Sequence, residues 1–110
     1  DEGRAASDAL AATLHAWFVM PSFHGCAFIN ASAEAKSEEV ENEIKEICRS
    51  HKLETKEKIA ALTAISDEQR LNKIMLLIDG AIIHAQMGMD VDAVIHGLKS
   101  GLEKITGQAA

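Results

Sequence analysis

Tyrosine is absent from this chain, proline occurs once, and aromatic residues make up only 4% of its 110 residues. The β-branched and aromatic runs that fill pleated sheets are therefore scarce, while Ala, Leu, Glu and Lys abound. That balance favours an all-helical protein. Two cysteines are too few for a disulfide framework in a chain that is 47% hydrophobic, so Cys26 and Cys48 read as free thiols in a reducing compartment. No stretch reaches the ~18 uninterrupted apolar residues of a membrane span, since Asp79 and His84 break the best candidate. A basic and then apolar leader is also missing, and the expected location is cytoplasmic. The net charge is −6, which repels a polyanion and argues against nucleic-acid binding through these residues. The chain opens on Asp1 rather than Met and reads as a piece of something longer. Its length suits one domain, with roughly two-thirds of the unfolded surface hidden on folding.

What the chain does have is an apolar tract from Leu71 to Ala85. At helical spacing Leu71, Ile74, Met75, Ile78, Ile82 and Ala85 share one face. Leu76, Leu77, Gly80, Ile83 and Met87 spread over much of the remainder. A helix that is apolar nearly all round needs cover on both sides. One side can pack on the chain's own core, and a second copy of the same helix is the simplest cover for the other.

Periodicity predicts four more helices. The first, over about 2–20, carries Leu10, Leu14, Trp17 and Phe18 and is stopped by Pro21. After the turn 21–25, a short helix from Cys26 to about Ala35 is predicted with Phe28 and Ile29 inward. Ser37 is the expected N-cap of a long third helix, with Glu38 and Glu39 in the first turn where the helix dipole favours them. Val40, Ile44, Ile47, His51, Ile59, Leu62 and Ile65 form its apolar stripe. Ser66 or Asp67 caps the fourth helix, the apolar tract, which runs to about Met87. Beyond Gly88-Met89-Asp90, the fifth helix over about 91–105 shows Val91, Val94, Ile95, Leu98, Leu102 and Ile105 on one side. Ala93, Gly97 and Gly101 flank that side. A mid-helix glycine costs about 0.5–1 kcal/mol relative to alanine, and close approach of another helix is the usual compensation.

Chemistry is sparse. Five histidines and two cysteines show none of the spacings of a metal site, neither Cys-x-x-Cys nor His-Glu-x-x-His. No metal, cofactor or catalytic constellation is expected. His24 beside Cys26 could form an activated thiol pair, but a neutral cysteine filling core space is the reading adopted. The run Glu38, Glu39, Glu41, Glu43 and Glu46 is a solvated face. Asp79 and His84 either find partners across a two-fold interface or face water in a mixed rim. Trp17, Phe18, Met20, Phe23 and Phe28 gather around the Pro21 turn. They are either the core's large residues or the wall of an apolar ligand cavity.

The segment Gly25-Cys26-Ala27-Phe28-Ile29-Asn30-Ala31-Ser32-Ala33-Glu34, which follows an amphipathic helix, resembles the ligand-binding domain of TetR-family transcriptional repressors. That family often carries Gly-Cys-x-Phe-x-Asn-x-x-x-Glu there. A long helix then leads to a Leu-x-Asp-Gly-Ala-type stretch, here Leu77-Ile78-Asp79-Gly80-Ala81. Ala27 departs from the proline many relatives have at the first helical position, a permissive change. The resemblance covers essentially the whole chain and implies a five-helix regulatory domain. Its last two helices would form a four-helix dimer bundle, and DNA would be bound only by an N-terminal domain that these residues do not include.

The implied function is sensing of a small hydrophobic or amphipathic effector, with Trp17, Phe18, Met20, Phe23 and Phe28 as the ligand wall. The implied homodimer interface draws Leu76, Leu77, Gly80, Ile83, His84 and Met87 from the fourth helix. From the fifth it draws Val94, Gly97, Leu98 and Gly101. The alternative is a stand-alone homodimeric helical module without a ligand.

Overall fold

Three of the helices begin on a short polar side chain that accepts from an otherwise unpaired backbone N–H. A computed structural model describes residues 2–107, with side chains over 4–107. Its helices are α1 (Glu2–Phe18), α2 (Ala27–Glu34), α3 (Glu38–Thr63), α4 (Glu68–Gln86) and α5 (Val91–Thr106). Ser37 Oγ accepts from the Val40 N–H at 3.2 Å and Asp67 Oδ1 from the Gln69 N–H at 3.0 Å. Asp90 Oδ2 accepts from the Ala93 N–H at 3.0 Å. Such a cap contributes about 1 kcal/mol. The α1 helix stops at Phe18, three residues before Pro21, and Gly25 and Gly88 supply the positive-φ turns at +86° and +84°.

The protein is all-α, and no strand occurs among the described residues. The α5 helix packs most extensively, against α1 and α4, and α3 lies across α4 and α2. Phe18, Ile59, Leu71, Ile74, Leu98 and Leu102 are central to the core. Leu102 and Ile74 are fully buried. Cα atoms span 47 × 30 × 16 Å. With helix axes 8–10 Å apart in contact, the 16 Å dimension holds two helices stacked and not three. The outer faces of this slab are thus open.

Arg70 is buried on α4, and its guanidinium closes the far end of α5. Its Nε and Nη2 donate to the Ile105 carbonyl at 3.1 and 2.9 Å, and Nη2 also to the Thr106 carbonyl at 3.1 Å. These carbonyls lie in the last turn of α5, where a cation is favoured by the dipole as well.

Two expectations are corrected. Ile29 was expected inward on α2 but is exposed. The α3 stripe is buried only at its C-terminal end: Ile59 and Ile65 are in the core, whereas Val40, Ile47 and Leu62 are exposed. The cause is length. Twenty-six residues make a helix about 39 Å long, and the eight-residue α2 can cover only a part of its first half.

Candidate functional site

Of the five residues expected to wall a cavity, Trp17, Phe18 and Phe23 are brought together, and Met20 and Phe28 are not. Trp17 and Phe23 meet edge to face at 4.8 Å, and Phe18 stacks at a tilt on both, at 5.8 and 5.1 Å. Phe18 is only 5% exposed and the trio belongs to the packed core or its border. Met20 points to solvent. Phe28 pairs instead with His51 of α3, 5.3 Å between ring centres. Five concavities of about 250–460 Å³ are lined by other residues, and none of these five includes any of the expected wall. For Trp17, Phe18 and Phe23 the contacts favour core packing over a cavity wall, because three rings in mutual contact fill the space between them.

Two grooves share α4 as a wall. The first, of about 430 Å³, is open and runs between α4 and α5. Leu76, Leu77, Gly80, Ala81 and His84 form its α4 side, and Ala93, Val94, Gly97 and Leu98 its α5 side. Leu76 is 72% exposed and Met87 71%, and Ile83 is also exposed. A Cβ added at Gly80 or Gly97 would meet no neighbouring atom within 4 Å beyond its own stretch of helix backbone. The groove's breadth follows from these two positions, where two helices face outward with no side chain at all.

Not every residue expected at an interface faces out. Leu98 is 2% exposed and belongs to the core, and Leu77 and Val94 pack on its border. Gly101 is explained within one chain: a Cβ there would come within 2.7 Å of Leu77 Cδ2, so this glycine lets Leu77 seat between α4 and α5. Asp79 needs no second subunit, since Lys52 Nζ donates to its Oδ1 at 2.6 Å and ties α3 to α4. His84 is exposed at the groove's edge.

The second groove, about 270 Å³, lies where α1, α3 and α4 diverge. Its wall is apolar throughout and includes Leu10 and Leu14 of α1, Ile59 and Leu62 of α3 and Ile78 of α4. The sequence gives no sign of this groove beyond Leu62's place on the apolar stripe of the third helix.

Sequence reasoning also missed a polar latch. Gln86, the last residue of α4, accepts from the Cys26 N–H at 3.4 Å and donates to Asn30 Oδ1 at 3.0 Å. Asn30 in turn donates to the His24 carbonyl at 2.9 Å. The Gly-Cys-x-Phe-x-Asn segment is thereby tied to the end of the helix that walls both grooves. Cys26 and Cys48 are half-buried free thiols. Among the described residues no group of three or more His, Cys, Asp or Glu side chains is placed to hold a metal ion, and no helix is long and apolar enough to cross a membrane. No family model, curated protein or solved structure matches the chain.

Proposed function

We propose that this chain is the effector-binding and dimerisation domain of a TetR-like transcriptional repressor, in which a separate domain reads DNA. The observation that carries the reading is the open apolar groove between α4 and α5, flanked by exposed Leu76, Ile83 and Met87. Fully burying each such side chain is worth about 1.5–3 kcal/mol, and soluble monomers seldom leave an apolar patch of this kind uncovered. A second copy related by a two-fold axis would bring four helices together and cover both patches at once.

The effector site of this proposal is the groove between α1, α3 and α4. Ile78 lines that groove while Leu77, Gly80 and His84 of the same helix line the other. A ligand that favours one position of α4 would shift the dimer geometry by its differential affinity, and by no more than that. The DNA readers' spacing would follow.

The test is sedimentation velocity at micromolar concentration. The wild-type chain should run as a dimer and the double variant Leu76→Glu, Met87→Glu as a monomer with unchanged helicity. A monomeric wild-type chain would sink the reading. One observation favours the alternative, a homodimeric module with no ligand: Trp17, Phe18 and Phe23 are packed against one another with the core. A dimer that binds no small amphiphile would decide for that alternative.

A further inference from the structure

The groove between α1, α3 and α4 has an apolar wall, yet one cation stands at its edge. Lys58 lines it from α3 with its alkyl stem and is exposed, its flexible ammonium lying outside the apolar wall and within reach of the groove's mouth. Lys52 and Lys56 on the same helix are held by Asp79 and Glu68, whereas Lys58 has no ion pair among the described residues. Glu54 precedes it by one turn but makes no ion pair with it. Thr13 and Thr55 also border the groove, but their hydroxyls donate to carbonyls of their own helices, to Ala9 at 2.8 Å and to His51 at 2.9 Å. Their protons are committed, and the lysine ammonium is the polar group left for a ligand.

We propose that this groove binds a linear, medium-chain carboxylate. Its carboxylate sits on the Lys58 ammonium, and its alkyl chain runs along Leu10, Leu14, Ile59 and Ile78. The inference rests on the effector-binding half of the reading above and is independent of the dimer half. Three features select this chemistry. The volume of about 270 Å³ is just under the ~300 Å³ at which small-molecule sites begin, which suits an unbranched chain better than a multi-ring compound. A wall without free donors leaves any polar atom along the ligand unpaired, and burying such an atom is unfavourable. An exposed, unpaired ammonium attracts an anionic head and repels a cationic one.

The experiment is calorimetric titration of the full chain at low ionic strength with sodium octanoate, octanol and octylammonium. Octanoate should saturate one site per chain and bind about two- to fivefold more tightly than octanol, within the range of an exposed ion pair. From hexanoate to octanoate each added methylene should strengthen binding roughly fourfold. Lys58→Gln should remove the preference for octanoate and leave octanol unchanged. Thr13→Trp, at an exposed position bordering the groove, should fill it and abolish binding of both, with helicity retained by circular dichroism.

Equal binding of octanoate and octanol by the wild type overturns the carboxylate assignment and leaves the effector reading standing. Binding that survives Thr13→Trp puts the ligand elsewhere and overturns the site. Failure of all three amphiphiles overturns this proposal and the effector-binding half together. A change in sedimentation of Thr13→Trp without ligand makes the groove a contact between copies and overturns it as well.

Discussion

Gln86 occupies the space that a side chain at Gly25 would need. A Cβ built on Gly25 comes within 2.6 Å of Gln86 Cγ, and the glycine's φ of +86° is one that L-residues rarely adopt. The two residues are 61 positions apart, yet each determines what the other can be. Gly25→Ala should therefore destabilise by about 1–3 kcal/mol, from crowding and backbone strain together. In a Gln86→Ala background the same substitution should be less damaging, because only the strain remains. Urea unfolding of the four proteins of this cycle measures the coupling, expected at about 0.5–3 kcal/mol. Strict additivity would show that the latch carries no shared energy.

Ala64 ends α3 in the left-handed conformation at φ +58°. An L-residue there costs roughly 1–2 kcal/mol, and glycine escapes most of that at some cost in unfolded-chain entropy. Ala64→Gly should raise stability by about 0.5–1 kcal/mol, seen as a higher melting temperature. No increase would mean that the turn relaxes away from this conformation.

Arg70→Met should destabilise by about 1–3 kcal/mol by stripping the Ile105 and Thr106 carbonyls of their donors. Arg70→Lys should recover only part, since one ammonium cannot reproduce the forked donation. Hydrogen exchange in the last turn of α5 should speed up in both variants, more in the methionine one. Uniform acceleration over the whole chain would instead indicate a general loss of packing.

Glycines on α4 and α5 separate the interface from the fold. Gly80→Leu and Gly97→Leu add side chains into open space in one chain, so helicity should be kept while the proposed dimer dissociates or aggregates. Gly101→Leu collides with Leu77 inside the protomer and should destabilise whatever the oligomeric state. Glu41→Ala should alter neither property. Sedimentation and thermal melts on the four variants read both effects, and intact dimers of Gly80→Leu and Gly97→Leu would place the interface elsewhere.

With a net charge of −6, the chain should bind no duplex in a sequence-dependent way, because specific DNA interfaces are strongly basic. Titration against duplex libraries at low salt checks this, and a reproducible preferred site would contradict it.

The sequence by itself determined what acts over a few residues. Ser37 is readable as a cap, and Ser66 or Asp67 as another, because a cap bonds an N–H two or three positions on; the structure selects Asp67. Pro21 is readable as a stop, and the all-α class follows from composition and from the 3.6-residue spacing of Leu71, Ile74 and Ile78. Only the tertiary structure decided which apolar residues face inward. Leu76 and Leu77 are chemically identical neighbours, yet one is exposed and the other seats above Gly101, because the rotation of α5 against α4 selects between them. The same holds for Asp79, which meets Lys52, and for Gln86, which meets Asn30 across 56 positions. Such pairs leave no periodic trace, since a hydrogen bond between distant segments depends on how helices cross and not on residue spacing along either one. The groove beside Lys58 has the same origin: it exists because α1, α3 and α4 diverge, a property of their packing alone.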